Sequence, residues 1–260
     1  MAFVNASNAR LEYRTIPAAA STMPSLVFLH EGLGSVSLWR DFPDKLCRQI
    51  GAPGLVYSRR GYGKSSALAG PRAADFMHKE ALEVLPEVLS SLGINRPVLV
   101  GHSDGASIAL IYATHAPENV AGLVLMAPHV MVEPVSISSI SKISKTYHTS
   151  DLRTRLARYH DHVDDAFLGW SDIWLSPEFL HWTLLDECQR LKSPALLIQG
   201  ENDEYGTLAQ LDAIEAAAGN AGIQRLVLSR CGHSPWRDQE TLVLDAIAGF
   251  VSKLACSHDT

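Results

Sequence analysis

Short runs of almost purely apolar residues, each followed by turn residues, constrain the fold of this chain more than any other feature. The runs LVFL, VLV, LVLM and ALLI lack the polar alternation of a strand that has one wet face. Strands without that alternation are covered on both faces, which is typical of parallel sheets. The predicted strands are Ser25–His30, Gly54–Tyr57, Pro97–Gly101, Ala121–Met126, Ala195–Gln199 and Gln224–Leu228.

Helical stretches separate several of these strands. Asp104–His115 directly follows a strand, Thr207–Ala218 is rich in Leu and Ala, and Thr241–Leu254 has apolar residues at helical spacing. Strands that alternate with helices predict an α/β fold with a doubly wound, mostly parallel sheet. A fold class does not by itself give a function, so the function must be argued from a site.

One region interrupts the alternation. From about Glu133 to Leu191 no convincing strand is found, and Ser150–Trp170 carries apolar residues at helical spacing. Ser150 is a suitable N-cap for that helix. We therefore predict an α/β core of residues 1–132 and 192–260, with a helical cap of residues 133–191.

The predicted cap is rich in tryptophan and histidine. Three of the five tryptophans are Trp170, Trp174 and Trp182. Ligands of open α/β sheets bind at the carboxyl edge of the strands, so we expect the cap to lie there and these tryptophans to bind substrate. The alternative is a peripheral helical pair whose tryptophans only fill core. The cap histidines, which we expect to be exposed or to face substrate, are His148, His160, His162 and His181.

The segment Gly101-His102-Ser103-Asp104-Gly105 has the form G-x-S-x-G between a predicted strand and a predicted helix. This pattern in this context is a nucleophile elbow, in which a sharp turn exposes a serine at a helix N-terminus. The alternative is a chance match in a strand–turn–helix unit. The flanking elements favour Ser103 as a nucleophile, with His102 pointing to the other side of the turn.

A serine nucleophile needs a histidine base, and the histidine needs a carboxylate to orient it. In sheets of this topology the chain order is serine, acid, histidine. Of the eleven histidines, only His233 follows the last predicted strand directly after a glycine. The acid should lie on the loop after ALLIQ, where Glu201, Asp203 and Glu204 are the candidates.

Acyl transfer also needs backbone N–H groups that bind the tetrahedral oxyanion. One is expected from Asp104, directly after the nucleophile, and the other from Gly32, or else Leu33, in the loop after LVFLH. The carboxylates of Glu31 and Asp104 would then flank the oxyanion hole, so Glu31 is a candidate for substrate binding. Asp104 has a simpler alternative role, since an acid in the first turn of a helix offsets the helix dipole.

Composition and motifs exclude several function classes. The net charge of −6 and the absence of a block of Lys and Arg argue against nucleic acid and anionic membranes as partners. Gly63-Lys64-Ser65 resembles a Walker A ending, but Ser58 stands where its first glycine should be. No G-x-G-x-x-G follows the first predicted strand, so we expect neither nucleotide nor dinucleotide binding.

Cysteine usage and hydropathy bear on location. The four cysteines match neither a zinc pattern nor a CxxC pair, so no metal site is expected. The N-terminus lacks the apolar stretch of a signal peptide, and no apolar run is long enough to span a bilayer. These features favour a reduced, cytoplasmic protein that does not associate with membranes. The composition leaves a homo-oligomer open.

Four blocks in this order, HEGLG, RRGYGKS, GHSDG and GEND with CGH, resemble the α/β-hydrolase superfamily over nearly the whole chain. The chain looks most like its small, capped branch of serine esterases and carbon–carbon hydrolases. The resemblance implies a helical cap, no cofactor, and an acid three residues after the loop glycine, which is Asp203. Two positions depart from the usual pattern, Glu31 in place of glycine and Asp104 in place of an apolar or amide residue.

The sequence thus predicts a serine hydrolase with the triad Ser103, Asp203 and His233, acting on a small-molecule substrate. The main expectation is hydrolysis of an ester or thioester of a small carboxylic acid through an acyl-enzyme. The alternative on the same triad is hydrolytic carbon–carbon cleavage of a ring-fission product, or lactone hydrolysis. A non-catalytic binding protein on the same scaffold would be expected to lose a triad member, and this chain keeps all three types.

Overall fold

A computed structural model of the protein describes residues 2–18, 21–219 and 221–256, which form one sheet of eight strands with helices on both faces. The strands are β1 (Ala2–Ala6), β2 (Ala9–Ile16), β3 (Leu26–Leu29), β4 (Gly54–Tyr57), β5 (Val98–His102), β6 (Gly122–Met126), β7 (Ala195–Gly200) and β8 (Ile223–Leu228). Their order in the sheet is β1-β2-β4-β3-β5-β6-β7-β8, and all pairs from β4 to β8 are parallel. The predicted α/β class with a mostly parallel sheet is confirmed.

The N-terminal hairpin was not among the predicted strands. β1 pairs with β2 and β2 with β4, both antiparallel, so the hairpin extends one edge of the sheet. A search for continuous apolar runs misses such strands, because β2 mixes Leu11 with the polar residues Arg10 and Glu12. Antiparallel strands commonly mix apolar and polar residues in this way.

The helices of the described residues come in chain order as α1 to α11. They are α1 (Phe42–Ile50), α2 (Phe76–Lys79), α3 (Leu85–Ser91), α4 (Asp104–His115), α5 (Pro134–Thr146), α6 (Leu152–Leu156), α7 (Val163–Trp174), α8 (Leu185–Gln189), α9 (Ala209–Ala218), α10 (Pro235–Asp238) and α11 (Glu240–Cys256). A π-helical turn, Glu80–Val84, joins α2 to α3, and a 3₁₀ turn, Pro117–Asn119, follows α4. None of these helices is long and apolar enough to cross a membrane.

Two apolar cores, one on each face of the sheet, explain the apolar runs. Val27 and Leu29 of β3 point into one core, and Leu26 and Phe28 point into the other. All four side chains are buried, because each strand in the middle of the sheet is covered on both sides. α4 packs against β5 and β6 and is buried from Asp104 to Thr114. This packing fixes the N-terminus of α4, where Ser103 is the N-cap residue.

The segment predicted to form a cap contains α5 to α8 and no named strand. An isolated antiparallel bridge from Thr183 to Met131 ties it to the chain after β6. The predicted helix Ser150–Trp170 is wrong as one element, since α6 ends at Leu156 and α7 begins at Val163. The division into core and cap stays a prediction.

The break between α6 and α7 holds a histidine that binds the core. His160 Nδ1 accepts the Gly63 N–H at 3.0 Å, and its Nε2–H donates to the Leu33 carbonyl at 3.0 Å. The side chain is buried, so the expectation that His160 is exposed or substrate-facing is wrong. It is buried because it satisfies two backbone groups of core loops, whereas the other three cap histidines are exposed.

Candidate active site

Ser103 occupies a sharp turn between β5 and α4. Its backbone has φ 53° and ψ −122°, a region that residues other than glycine rarely adopt. A Cβ on Gly101 would lie 2.4 Å from the carbonyl oxygen of Gly105, and a Cβ on Gly105 would lie 2.0 Å from that of Leu29. The turn therefore requires glycine two residues to either side of the serine, which is the physical basis of the G-x-S-x-G pattern.

The structure brings the three predicted catalytic side chains together in one hydrogen-bond chain. His233 Nε2 lies 2.9 Å from Ser103 Oγ, and His233 Nδ1 lies 2.8 and 2.9 Å from the two carboxylate oxygens of Asp203. Asp203 follows β7 and His233 follows β8, so both reach the serine from the same edge of the sheet. Of the other two acids, Glu201 is exposed and Glu204 accepts the backbone N–H of His233 at 3.2 Å.

The Asp203 carboxylate is surrounded by hydrogen-bond donors. It accepts the Gln199 side-chain amide at 2.6 Å and the backbone N–H groups of Tyr205 and Gly206 at 2.8 and 3.2 Å. Burial opposes its charge, but the charge of His233 and these hydrogen bonds outweigh burial and hold the pKa of Asp203 below its usual value. Burial likewise opposes charge on His233, yet Asp203 raises the pKa of that imidazole above its usual value.

His102, next to Ser103, contacts His233, the predicted base. Its Nε2–H donates to the backbone carbonyl of His233 at 2.6 Å, and its Nδ1 accepts the indole N–H of Trp236 at 3.2 Å. His102 and Trp236 are both buried. The contact joins residues 131 positions apart in the chain, so no local spacing in the sequence indicates it.

The loop after β3 is held by a buried arginine. The Arg59 guanidinium donates to the carbonyls of His30 and Glu31, the latter at 3.0 Å, and its backbone N–H donates to His30 Nε2 at 3.1 Å. Neither the Gly32 N–H nor the Asp104 N–H has an acceptor among the described residues. Both amides stay available to a ligand, and their role in an oxyanion hole stays a prediction.

A cavity of about 240 Å³ opens beside Ser103. Trp170 and Trp174 of α7 line it, and Trp170 covers Gly32 so closely that a Cβ there would lie 2.2 Å from the indole nitrogen. Trp182 is not part of the lining and instead stacks on Phe179, with ring centroids 5.0 Å apart. The lining residues are Glu31, Gly32, Leu33, Ser103, Asp104, His129, Ser136, Ile140, Trp170, Trp174, Glu204, Tyr205, His233, Ser234 and Arg237.

His129 and Tyr205 also line the cavity, and neither was predicted as a site residue. His129 lies just past β6, and its ring lies 5.0 Å from Trp174 and 5.6 Å from His233. Burial, followed by the charge of His233, lowers the pKa of His129 to about 3, so the ring is neutral. Tyr205 lies 4.8 Å from the His233 ring. His129 could have been found, because its position after a strand end is the signal that located Asp203 and His233.

Glu31 lines the cavity and also approaches the buried ring of His102. Its carboxylate is 3.4 Å from His102 Nδ1. Within the described ranges, no three His, Cys, Asp or Glu side chains are grouped so as to hold a metal ion.

Comparison with known proteins gives the family. Residues 24–153 match the family model of the alpha/beta hydrolase fold, and the chain therefore belongs to this family. A 2-hydroxy-6-oxo-6-phenylhexa-2,4-dienoate hydrolase from Burkholderia cepacia is 23% identical over 255 residues, covering 86% of this chain and 87% of that protein.

Solved structures agree on the fold. The enol-lactonase from Burkholderia xenovorans has a TM-score of 0.75 at 19% identity, covering 96% of this chain and 100% of that one. An esterase from Exiguobacterium antarcticum has a TM-score of 0.74 at 18% identity, covering 96% and 98%. A second curated relative, a 2-hydroxy-6-oxononadienedioate/2-hydroxy-6-oxononatrienedioate hydrolase from Comamonas testosteroni, is 22% identical over 255 residues, so both of these curated relatives are hydrolases.

Proposed function

We propose that the protein hydrolyses an ester or thioester of a small carboxylic acid through an acyl-enzyme on Ser103. The observation that carries this proposal is the chain of hydrogen bonds from Ser103 through His233 to Asp203. A hydroxyl, an imidazole and a carboxylate in this order form the arrangement that activates serine in acyl transfer. The small cavity beside Ser103 fits a short acyl group.

Each residue has one task in acylation. Ser103 Oγ attacks the substrate carbonyl while His233 Nε2 takes the hydroxyl proton, because Asp203 keeps the other ring proton on Nδ1. The amides of Gly32 and Asp104 donate to the oxyanion of the tetrahedral intermediate. The intermediate then expels the alcohol or thiol, which receives its proton from His233, and the acyl group remains on Ser103.

Deacylation repeats the same steps with water as the nucleophile. His233 removes a proton from water, which attacks the acyl-enzyme carbonyl, and the same two amides bind the new oxyanion. Collapse releases the carboxylic acid and returns the proton to Ser103. No cofactor is required for either half of this reaction.

The charge of the cavity favours ester hydrolysis over cleavage of a ring-fission product. A ring-fission product carries a carboxylate, which needs a fixed cation. Arg237 is the arginine of the lining, but its side chain is 56% exposed and pairs with Asp238 at 3.2 Å. Three acidic residues belong to the lining, Glu31, Asp104 and Glu204. Carbon–carbon cleavage and lactone hydrolysis remain the alternatives on the same triad.

A substrate panel tests the proposal. The purified protein is assayed with chromogenic esters, thioesters, lactones and an oxo-dienoate, and a fluorophosphonate probe is mapped by mass spectrometry. We expect turnover of short esters or thioesters and a covalent adduct on Ser103. Turnover of the oxo-dienoate without ester turnover would favour carbon–carbon cleavage. A protein that is neither labelled nor active on any member of the panel would contradict the proposal.

Trp170 should control which acyl groups are accepted. It lines the cavity above Gly32, so Trp170→Ala removes an indole from the cavity wall and enlarges the space for the substrate. An apolar wall discriminates by about 1–3 kcal/mol per misfit methylene, so the ranking of a series of acyl chain lengths should shift by roughly tenfold or more. The measurement is kcat/KM for each ester of the series, together with the rate of labelling by a small fluorophosphonate, which should change little.

Trp182→Ala is the matched control for that experiment. It removes the same side chain from the cap at a position that does not line the cavity. We expect a lower melting temperature and an unchanged ranking of substrates. If both variants lose activity equally on every ester, the tryptophans only hold the cap together.

A further inference from the structure

Asp104, the residue after the nucleophile, has a carboxyl group with no partner. The side chain is buried, and neither carboxylate oxygen has a hydrogen-bond partner among the described residues. Asp104 is nevertheless one of the residues that line the cavity beside Ser103. A buried carboxyl without partners is costly, so a sequence keeps one when a ligand completes its hydrogen bonds.

Capping of α4 does not account for this carboxyl. An acid that caps a helix accepts the free N–H groups of the first turn with its oxygens. The Asp104 oxygens accept none of them. Burial raises the pKa of Asp104, although the charges of Arg59 and Arg72 and an interaction with the Trp174 indole act in the opposite direction.

Another polar atom without a partner belongs to the lining of the same cavity. His129 Nδ1 is buried and lacks a hydrogen-bond partner within the described chain. His129 and Trp174 both line the cavity, their rings meet edge to face at 5.0 Å, and the Trp174 indole N–H interacts with the Asp104 carboxyl. The Asp104 carboxyl and the neutral His129 imidazole thus offer acceptors to a group of the substrate that donates hydrogen bonds.

The charge of the cavity indicates which polar group fits. Glu31 and Glu204 line it as well as Asp104, and the guanidinium of Arg237 is paired with Asp238. Among the other cations near Asp104, Arg59 is bound to two backbone carbonyls, and Arg72 donates to the Arg60 carbonyl. A group that brings positive charge and several N–H donors complements this site, and a carboxylate does not.

We propose that Asp104, with His129 and Trp174 beside it, binds an ammonium group on the acyl part of the substrate. The preferred substrates are then esters of short amino acids, and Asp104 determines this specificity. The acyl part is favoured because it becomes bonded to Ser103, the neighbour of Asp104, whereas the alcohol leaves. This inference rests on the proposed ester hydrolysis.

The test compares two esters that differ only in charge. Benzyl glycinate and benzyl propanoate have the same number of heavy atoms, with an ammonium in one where the other has a methyl group. After division by their rates of alkaline hydrolysis, kcat/KM should favour the glycinate by about tenfold or more, mainly through KM. In Asp104→Asn, which keeps the backbone amide and the side-chain shape, this preference should fall to about one.

Asp186→Asn is the matched control, because it removes the same charge from an exposed residue of α8 outside the cavity. The preference for the glycinate should persist there. The melting temperature distinguishes a binding role from a structural role. If Asp104 only stabilised the fold, Asp104→Asn would lower the melting temperature, but we expect it to stay unchanged. If Glu31→Gln or Glu204→Gln abolishes the preference and Asp104→Asn does not, the assignment to Asp104 is overturned.

Two outcomes distinguish this inference from the proposed function. Hydrolysis of benzyl propanoate through Ser103 with no preference for the glycinate overturns the ammonium site and leaves ester hydrolysis intact. If neither ester is hydrolysed and the fluorophosphonate does not label Ser103, ester hydrolysis itself is contradicted. If Asp104→Asn does not fold, the ammonium site is tested by inhibition of the native enzyme. The inhibition constant of glycinamide should then be at least about tenfold lower than that of propanamide. Equal inhibition overturns the ammonium site.

Discussion

Ser103→Ala is expected to lower kcat for the preferred ester by about 10³ to 10⁶, the range set by removal of a triad member. The substitution deletes the hydroxyl that His233 Nε2 contacts at 2.9 Å and leaves the cavity wall otherwise unchanged. Because the serine acts on the reacting carbon, the loss should appear in kcat, with KM changed much less. Steady-state kinetics on the best ester of the panel measures both.

The cavity supplies matched controls for this experiment. Ser136 and Ser234 also line it, and neither contacts His233 Nε2. Ser136→Ala and Ser234→Ala should keep kcat within about tenfold, since each removes one neutral hydroxyl that does not contact the base; that of Ser136 donates to the Tyr205 carbonyl instead. Fluorophosphonate labelling should disappear only in Ser103→Ala. An adduct on another serine, or full activity in Ser103→Ala, would show that the nucleophile has been assigned incorrectly.

The sequence located the site because parallel strands end at one edge of a sheet. Ser103, Asp203 and His233 lie 100 and 30 residues apart in the sequence, yet each follows the end of a predicted strand. Strand ends can be identified from local composition, so these positions could be predicted without knowing any contact. Choosing Asp203 over Glu201 and Glu204 required family resemblance, because all three acids occupy the same loop.

Residues that act through long-range contacts could not be predicted in this way. His102 holds the His233 carbonyl, and Arg59 holds two carbonyls of the loop after β3. Neither contact leaves a spacing signal, since the partners come from separate elements. The predicted cap shows the same limit. Helical periodicity predicted one helix over Ser150–Trp170, but α6 and α7 are separated by a turn in which His160 contacts Gly63 and Leu33.

The three cap tryptophans illustrate how far composition can be used. Composition indicated an aromatic pocket, and Trp170 and Trp174 do line the cavity. Trp182 does not, because it stacks on Phe179 at the far side of Trp174. Sequence gives the number of large apolar side chains in the cap, but the direction of each depends on the packing of α7 against its neighbours.

Asp203 should matter nearly as much as the serine, because it controls which nitrogen of His233 carries the proton. The backbone N–H groups of Tyr205 and Gly206 both donate to Oδ1 of Asp203, so an asparagine there would keep its oxygen in that position. Its amide nitrogen would then replace Oδ2, which lies 2.9 Å from His233 Nδ1, while the oxygen 2.8 Å from that nitrogen would lose the negative charge that holds the proton there. An N–H donor at that place favours the tautomer whose proton is on Nε2, and this tautomer cannot accept the proton of Ser103.

Asp203→Asn is therefore expected to lower kcat by about 10⁴. The pH profile separates this from a loss of structure. His233 must be neutral to act as base, so activity falls on the acid side as pH drops through its pKa, which Asp203 raises. Removal of the carboxylate lowers that pKa, and the acid limb of log kcat/KM should move to lower pH.

Glu201→Gln and Glu204→Gln are the controls on the same loop, and each should keep the rate within about tenfold, because neither side chain reaches the His233 ring nitrogens. If Glu204→Gln slows turnover by about 10⁴ and Asp203→Asn does not, Glu204 is the acid that orients the base.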